Sequence, residues 1–272
     1  MADHMDEKEL RAEGLSPGSP HYRAFVGPPE RYDLMASIQF NLLTSLGLRE
    51  YHHLLDIGCG SLRAGKLFIP YLLPEHYCGI EPEKWLIDEA IDRELGKDIL
   101  RIKRPKFNHN SAFDLTVFNR EFDFLIAQSV FSHASSRQIE ACLFSAKKVM
   151  KPSSLFVVTF VIGKDNYTGQ DWVYPGCVAY RMDYITELVE RQQLACKKIT
   201  WPHPGNQTWM VIAHRDIIED IPTFDHKERL LQMEQKLKAL QDKLTKCKNS
   251  LNALKQHSFV KTALKIAKLL GR

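Results

Sequence analysis

The stretch LLDIGCGSLRAGKLFIPYLLPEHYCGIE, residues 54–81, predicts a strand, a glycine turn, a helix and a second strand. The mostly apolar run at 54–57 is typical of a buried parallel strand, and residues 62–72 place apolar side chains at helical spacing. The turn Gly58–Gly60 can adopt positive φ and let the backbone approach a ligand closely. Glu81 ends the second strand, 21 residues after the last glycine of the turn, a spacing that suits an acidic side chain which hydrogen-bonds a ribose. The stretch therefore predicts a βαβ unit that binds a nucleoside-containing cofactor.

Two common glycine-rich loops fit this turn incompletely. A dinucleotide fingerprint, G-x-G-x-x-G, has a third glycine where this chain has Arg63, although that glycine normally lets helix and strand pack closely. A phosphate-binding P-loop, G-x-x-x-x-G-K-[ST], is matched as far as Lys66, but Leu67 occupies the position whose hydroxyl must bind Mg²⁺. The P-loop interpretation therefore fails, and the dinucleotide interpretation is weakened.

A third loop fits better. The segment Asp56–Gly60 resembles the first motif of the class I, Rossmann-like S-adenosylmethionine-dependent methyltransferases, and Glu81 resembles the acidic residue that ends their second strand. Phe122–His133 looks like the family's fourth strand and following loop, and Val149–Thr159 looks like its fifth strand with the preceding turn. The resemblance covers roughly residues 32–215.

This resemblance implies the fold. We expect an α/β domain with a seven-stranded, mostly parallel Rossmann-like methyltransferase sheet and helices on both faces. A closing hairpin would place one antiparallel strand in the otherwise parallel sheet.

The resemblance also implies S-adenosyl-L-methionine as the cofactor and suggests which residues hold it. Gly58 and Gly60 would lie close to its methionine part, and Glu81 would accept hydrogen bonds from both ribose hydroxyls. Arg63 would pair with a cofactor or substrate carboxylate, or form a surface salt bridge. The candidate cofactor-binding residues are Asp56, Gly58, Cys59, Gly60, Arg63, Glu81, Asn110, Ser111, Gln128 and Ser129.

One histidine is the candidate catalytic residue. His133 follows the predicted fourth strand, in a loop at the edge of the sheet where open α/β folds bind ligands. Because imidazole titrates near neutral pH, His133 can act as a general base. The alternatives are that its ring packs against the cofactor or caps a helix. No histidine or cysteine spacing typical of a metal site occurs, so no metal is expected.

The reaction and acceptor follow from chemistry and charge. The sulfonium already activates the methyl group, so the enzyme must hold an acceptor in line and deprotonate it when it is a weak nucleophile. Residues 1–242 carry 29 Lys/Arg and 33 Asp/Glu, a net charge of −4, which disfavours nucleic acid as a partner. We expect a small-molecule or glycan-type hydroxyl as the acceptor. Three aromatic residues are candidates to shape its pocket: Trp172, Tyr174 and Trp209.

Two other functions stay open at this point. The chain could be an NAD-binding oxidoreductase, or a non-catalytic coiled-coil scaffold that keeps a relic cofactor-binding domain. The sequence contains no run of eighteen apolar residues, and its charged N-terminus lacks the apolar core of a secretory signal. Its six scattered cysteines suit reduced thiols. We therefore expect a cytoplasmic location.

The C-terminal part has a different pattern. From Leu230 to Leu254 apolar residues alternate at steps of three and four, an a/d heptad pattern that predicts homo-oligomerisation. Residues 243–272 hold eight Lys/Arg and no Asp or Glu. The basic amphipathic segment 258–272 predicts peripheral contact with an anionic membrane or with another subunit.

These patterns divide the chain into four segments. We predict a flexible N-terminal segment at 1–24, a methyltransferase domain at 25–216, a coiled-coil helix at 217–257 and a basic amphipathic helix at 258–272.

Overall fold

The computed structural model describes residues 11–224 and 237–250, together with residues 262, 266, 268 and 269. One compact unit ends at Phe224, and a second begins at Asp225.

The first unit is built on one seven-stranded sheet. The strands are β1 Leu54–Ile57, β2 Tyr77–Ile80, β3 Lys106–Asn108, β4 Phe122–Ala127, β5 Met150–Phe160, β6 Ala195–Lys198 and β7 Thr208–Ala213. Their order across the sheet is β3-β2-β1-β4-β5-β7-β6. Strand β7 is antiparallel to both of its neighbours, and the remaining pairs are parallel. The predicted sheet with one antiparallel strand is confirmed.

Seven α-helices are defined between residues 11 and 224. They are α1 Tyr22–Phe25, α2 Tyr32–Ser45, α3 Gly65–Tyr71, α4 Lys84–Ala90, α5 Lys97–Lys103, α6 Ser136–Val149 and α7 Met182–Arg191. Short 3₁₀ turns lie at Pro29–Arg31, Thr116–Phe118 and Arg215–Ile217, and a π-helical turn lies at Ile91–Leu95.

The sheet is covered on both faces. Leu55 and Ile57 of β1 belong to one buried apolar cluster, and Leu54 belongs to another, because successive side chains of a strand point to opposite faces. All four residues of β1 are buried. This pattern is the one expected for a central parallel strand.

The helix after the glycine turn starts later than the sequence pattern indicated. Helix α3 begins at Gly65 rather than at Leu62. The prediction was wrong by three residues because Leu62 itself has φ +53°, a left-handed conformation that cannot continue an α-helix. The turn is therefore longer than the two glycines, and it holds Arg63 before the helix begins.

The strand order fixes where a ligand can bind. Strands β2 and β3 lie on one side of β1, and β4 and the later strands lie on its other side. The strand order therefore reverses direction at β1. Such a reversal opens a crevice at the carboxyl ends of the two central strands. Ile57 and Ala127 are the last residues of β1 and β4, so the loops that follow them form this crevice.

Both ends of the compact unit extend past the predicted boundaries of the domain. Tyr22 and Ala24, which precede residue 25, are buried. At the other end Ile218 and Ile221 are buried in the second apolar cluster, and the unit ends eight residues after 216.

Part of the heptad segment is described. Residues 237–250 are helical, and Leu237, Leu240 and Leu244 are exposed. Cys247, the next heptad position, is exposed as well. The heptad positions at 230, 233, 251 and 254, and all but four residues of the predicted amphipathic helix at 258–272, lie outside the described residues. Oligomerisation through this seam stays a prediction. Within the described part of the chain, no helix is both long and apolar enough to cross a membrane.

Candidate functional site

A cavity of about 540 Å³ lies at the carboxyl ends of the central strands. It is lined by all eleven candidate residues, namely Asp56, Gly58, Cys59, Gly60, Arg63, Glu81, Asn110, Ser111, Gln128, Ser129 and His133. The topology thus collects side chains that are up to 77 positions apart in the sequence (Asp56 to His133). Their individual roles stay predictions, but their common location is a property of the fold.

The glycine turn brings backbone to the wall of this cavity. Gly58 and Gly60 have φ of +65° and +54°. A Cβ atom at Gly58 would lie 2.6 Å from Cγ2 of Val130, and one at Gly60 would lie 2.7 Å from Cγ1 of Val26. Both positions therefore require glycine for conformation and for space. The turn forms a cradle that a larger side chain would fill.

Glu81 is held in place by the turn that it faces. Its side chain is buried, and its two oxygens accept hydrogen bonds from the backbone N–H groups of Gly60 and Glu83, each at 3.0 Å. Burial raises the pKa of this carboxyl, although the two backbone donors oppose the shift. Each carboxylate oxygen has a second lone pair, so the group can still accept hydrogen bonds from a ligand.

Asp56 adds a second buried acid. The hydroxyl of Tyr77 donates a hydrogen bond to Asp56 Oδ2 at 2.8 Å. Burial raises the pKa of Asp56 to about 7, and the nearby Glu81 adds to the shift. Asp56, Glu81 and Glu83 together place three carboxyl groups on the wall of this cavity. Such a wall favours a cationic ligand.

Arg63 places a positive charge on the wall of the same cavity. Its Nη1 donates to the carbonyl of Val26 at 2.9 Å, and Nη2 donates to Oε1 of Gln128. Its Nε is buried and has no hydrogen-bond partner among the described residues, and burial lowers the pKa of the guanidinium. No carboxylate in the described part of the chain forms an ion pair with it. The predicted alternative of a surface salt bridge is therefore wrong, because the guanidinium points into the site.

His133 has a defined tautomer. Its Nδ1 lies 3.0 Å from the carbonyl oxygen of Val173 and 2.6 Å from that of Gly176. Since carbonyl oxygens only accept hydrogen bonds, Nδ1 must carry a proton. Burial lowers the pKa of the imidazole, so the neutral ring presents a free lone pair at Nε2.

The predicted capping role belongs to a neighbour of His133. Ser135 caps helix α6: its Oγ accepts from the N–H of Gln138, and the Gln138 side chain accepts from the N–H of Ser135. This reciprocal pair is a capping box. His133 is therefore free for other roles.

The loop after β3 is held together by hydrogen bonds among its own residues. The side chain of Asn110 donates to Asn108 Oδ1 and to the carbonyl of Asp114, and it accepts from the N–H of Asp114. These bonds hold the loop and occupy both amide donors. Asn110 therefore lines the cavity without a free side-chain N–H group, and Ser111 lines it beside Asn110.

A smaller cavity of about 240 Å³ adjoins the first, and the sequence patterns did not reveal it. The two cavities share Val26, Arg63, Gln128, Ser129, His133 and Tyr174. The outer walls of the second cavity come from loops at 27–31, 174–177 and 203–207. These loops have no strand or helix periodicity that marks a site, but each is rich in Pro and Gly and is brought to the carboxyl edge of the sheet by its flanking elements.

Aromatic rings surround the junction of the cavities. His133 packs against Trp172 and Tyr174 at centroid distances of 5.5 and 5.0 Å, and Tyr174 packs against Phe25 at 5.4 Å. Trp172 and Tyr174 line the first cavity, and Tyr174 also lines the second. Their predicted role in an acceptor pocket stays a prediction. The prediction for Trp209 was wrong, because this residue is buried in β7 and donates its indole N–H to the carbonyl of Pro202.

Comparison with known proteins agrees with this geometry. Residues 55–156 match the model of a family described as a methyltransferase domain. No curated protein sequence matches the chain.

Solved structures with the same fold include three methyltransferases. The magnesium protoporphyrin IX methyltransferase from Synechocystis PCC 6803, with bound S-adenosylhomocysteine, has a TM-score of 0.52 at 10% identity, over 68% of this chain and 84% of the other. The glycopeptide N-methyltransferase MtfA, also with S-adenosylhomocysteine, has a TM-score of 0.51 at 10% identity, over 67% and 90%. The mitomycin 7-O-methyltransferase MmcR has a TM-score of 0.51 at 14% identity, over 66% and 54%.

The glycine cradle, the buried carboxyl of Glu81 beside it and the strand order fit S-adenosylmethionine, and the matching family model is that of a methyltransferase rather than a dehydrogenase. The alternatives of an NAD-binding oxidoreductase and of a non-catalytic scaffold are therefore set aside. Residues 55–156 form a methyltransferase domain, and the first unit has the Rossmann-like fold of the class I S-adenosylmethionine-dependent enzymes.

Proposed function

We propose that this enzyme methylates a hydroxyl group of a small-molecule or glycan-type acceptor, with His133 as the general base. The observation that carries the proposal is the state of His133, whose Nδ1 is held as a donor by two carbonyl oxygens while Nε2 stays free to accept a proton. His133 also lines both cavities, so it stands where a cofactor and an acceptor would meet.

The cofactor-binding roles follow from the charges of the first cavity. S-adenosylmethionine supplies a sulfonium-activated methyl group and carries an ammonium and a carboxylate. Asp56 and Glu81 would stabilise its positive charge and its ribose, and the guanidinium of Arg63 would pair with its carboxylate. Gly58 and Gly60 would allow the chain to approach the methionine part closely.

A hydroxyl acceptor must lose its proton when it is methylated, so a general base assists the reaction. With S-adenosylmethionine bound, the acceptor oxygen would take the methyl group from the sulfonium, leaving S-adenosylhomocysteine, and Nε2 of His133 would accept the hydroxyl proton. The resulting imidazolium keeps its hydrogen bonds to the carbonyls of Val173 and Gly176, which favour the charged ring. A neutral amine acceptor would need less help, because its lone pair is already nucleophilic.

The acceptor is expected to be small. The second cavity has a volume of about 240 Å³, which suits a single ring or a short polar molecule and not a folded chain. The net charge of −4 over residues 1–242 also disfavours a nucleic acid. A glycan terminus would enter through the same opening with one sugar unit.

The test compares His133→Asn with His214→Asn. Asparagine at 133 can keep an N–H group near the two carbonyls but lacks the Nε2 lone pair. We expect a drop in kcat of about 10²–10⁴-fold for a hydroxyl acceptor, with unchanged affinity for S-adenosylhomocysteine. His214 lines neither cavity, so its variant should behave as wild type.

The acceptor class is tested first by a screen. Formation of S-adenosylhomocysteine is measured with hydroxylated small molecules, with glycans and with amines of similar size. If only amines are methylated, or if His133→Asn keeps full kcat on hydroxyl acceptors, the proposal is wrong.

We further propose that the C-terminal segments mediate self-association through 230–254 and peripheral membrane contact through 258–272, in a cytoplasmic protein. The support is the heptad pattern, the exposed leucines of the helical residues 237–250, and the excess of Lys and Arg after Lys243. Light scattering and sedimentation with anionic liposomes would compare the full chain with one that ends at Asn252. Equal liposome binding by both would contradict membrane contact.

A further inference from the structure

The second cavity differs from the first in its charge. Its lining contains two arginines, Arg31 and Arg63, and none of the described residues that line it is an Asp or a Glu. The first cavity, by contrast, is lined by three carboxyl groups. Arg63 lies on the wall that both cavities share, whereas Arg31 lines only the second cavity, away from the three carboxyl groups. The second cavity is therefore the more favourable of the two for an additional anion.

Arg31 is held where its charge can act on a ligand. Its Nη1 donates to the carbonyl of Pro204 at 2.9 Å, which fixes the guanidinium against the loop at 203–207. Its ion pair with Glu30 is long, at 3.8 Å, and joins side chains that are 43% and 68% exposed. Such an exposed pair contributes little, so the charge of Arg31 stays available.

The pKa of His203, which also lines the second cavity, is consistent with a positive potential there. Burial lowers the pKa of His203 to about 4, and both Arg31 and Arg63 contribute to the shift. His203 is thus neutral at physiological pH. Its Nδ1 accepts from the N–H groups of Gly205 and Gln207 at 3.1 and 3.3 Å, so it shapes the wall and adds no charge of its own.

A buried acceptor atom completes the set. Oε1 of Gln207 is buried without a hydrogen-bond partner in the described part of the chain, while its Nε2 donates to Ser129 Oγ at 2.8 Å. An unsatisfied carbonyl oxygen at a cavity wall is costly, and a ligand donor would satisfy it. The cavity thus offers cationic groups for an anion and an oxygen for a hydroxyl.

We propose that the second cavity binds the acceptor, and that the acceptor is a hydroxylated carboxylic acid whose carboxylate lies against Arg31. Because Arg63 would pair with the carboxylate of the cofactor, Arg31 is the cation left for the acceptor, and the hydroxyl to be methylated reaches His133 on the wall that both cavities share. A singly charged carboxylate suits the site better than a phosphate, because Arg31 and Arg63 already commit N–H groups to protein carbonyl and amide oxygens. This inference rests on the proposed function and narrows its acceptor class.

The experiment uses pairs of probes that differ only in charge. Lactate with lactamide and 4-hydroxybenzoate with 4-hydroxybenzamide are titrated into the full chain saturated with S-adenosylhomocysteine, and glycerol phosphate provides a second anion. Binding is followed by calorimetry. We expect at least one acid to bind about tenfold more tightly than its amide.

Three variants separate the role of Arg31 from general effects. Arg31→Gln should remove the preference for the acid, and Arg31→Lys should restore part of it. Arg101→Gln makes the same change at a residue that lines neither cavity, and it should keep the full preference. All three should bind S-adenosylhomocysteine as wild type does.

The readouts distinguish two kinds of failure. If S-adenosylhomocysteine does not bind the wild-type chain, the proposed function itself fails. If it binds but no acid is preferred over its amide, if Arg31→Gln keeps the preference, or if only glycerol phosphate binds, the carboxylate inference is overturned and the methyltransferase assignment stands.

Discussion

The two adjoining cavities are built from different kinds of structure. The first is formed by the carboxyl ends of parallel strands, and it presents a glycine turn and three carboxyl groups, from Asp56, Glu81 and Glu83. The second is formed by loops, and it presents two arginines and no carboxylate among its described lining residues. Strand ends are fixed by sheet hydrogen bonds, whereas loops can change without disturbing the sheet. The difference agrees with the proposal that strand ends hold the cofactor and loops select the acceptor.

The largest expected effect tests the preformed backbone of the first cavity. In Gly60→Ala, the new Cβ would meet Val26 at 2.7 Å while the backbone keeps φ of +54°. We expect affinity for S-adenosylhomocysteine to fall about 100-fold or more, because the turn must shift away from the ligand. The matched control is Gly96→Ala, which has φ of +78° but no atom within 4 Å of the new Cβ.

Both glycine variants should lose about 1–2 kcal/mol of unfolding free energy from backbone strain, since both place alanine at positive φ. Only Gly60→Ala should lose the ligand. Calorimetric titration and chemical denaturation measure the two quantities separately. Similar affinities for the two variants would show that the turn is not part of the cofactor site.

A smaller effect is expected at Glu81, the acid proposed to bind the ribose. Glu81→Gln preserves shape, but its amide N–H₂ must face one of the backbone N–H groups of Gly60 and Glu83 that now donate to the carboxylate. We expect affinity for S-adenosylhomocysteine to fall about 10- to 100-fold, the range for losing charge-assisted hydrogen bonds. Glu89→Gln, at an exposed helix position paired with Arg93, is the control and should have no effect. A wild-type affinity in Glu81→Gln would contradict the ribose assignment.

The acidic wall of the first cavity also predicts a pH dependence. Burial raises the pKa of Asp56 to about 7, so this carboxyl is partly protonated in the free protein at neutral pH. Because the positive charges of S-adenosylmethionine favour the ionised form, binding releases a proton. Affinity should therefore rise with pH by up to about tenfold per unit below pH 7, and level off above it. The free energy of unfolding should fall between about pH 4 and 7, because the folded state holds this proton more tightly than the unfolded chain.

Asp56→Asn should abolish most of this pH dependence. Titrations in two buffers of different ionisation enthalpy would count the protons released. S-adenosylhomocysteine lacks the sulfonium charge and should release fewer protons than S-adenosylmethionine. Equal slopes for wild type and Asp56→Asn would assign the proton to another group.

The same contrast explains what could be predicted from the sequence. The run before Gly58 and the acid at 81 are local patterns tied to sheet geometry, so the βαβ unit and the position of Glu81 after its second strand could be predicted from them. The seven-stranded sheet was predicted from the family resemblance. Arg31 and His203 reach the site through packing of distant loops, for which the sequence has no periodicity. Leu62 shows a further limit, because its apolar side chain fits a helix pattern while its backbone takes φ +53°.

The smallest expected effect concerns the wall that both cavities share. The hydroxyl of Tyr174 is buried without a hydrogen-bond partner among the described residues, and the ring lines both cavities. Tyr174→Phe removes this uncompensated hydroxyl, so the unfolding free energy of the free protein should rise by about 1 kcal/mol.

Tyr77→Phe is the matched control for Tyr174→Phe. It deletes a hydroxyl that donates to Asp56 at 2.8 Å, and it should lower the unfolding free energy by about 1–2 kcal/mol. Chemical denaturation of both variants, repeated with saturating S-adenosylhomocysteine, gives the comparison. If Tyr174→Phe is destabilising only when the cofactor product is bound, the hydroxyl contacts the ligand of the first cavity. If bound S-adenosylhomocysteine leaves the stabilisation by Tyr174→Phe unchanged, the hydroxyl does not contact this ligand. It would then be available to a ligand of the second cavity, which the same side chain lines.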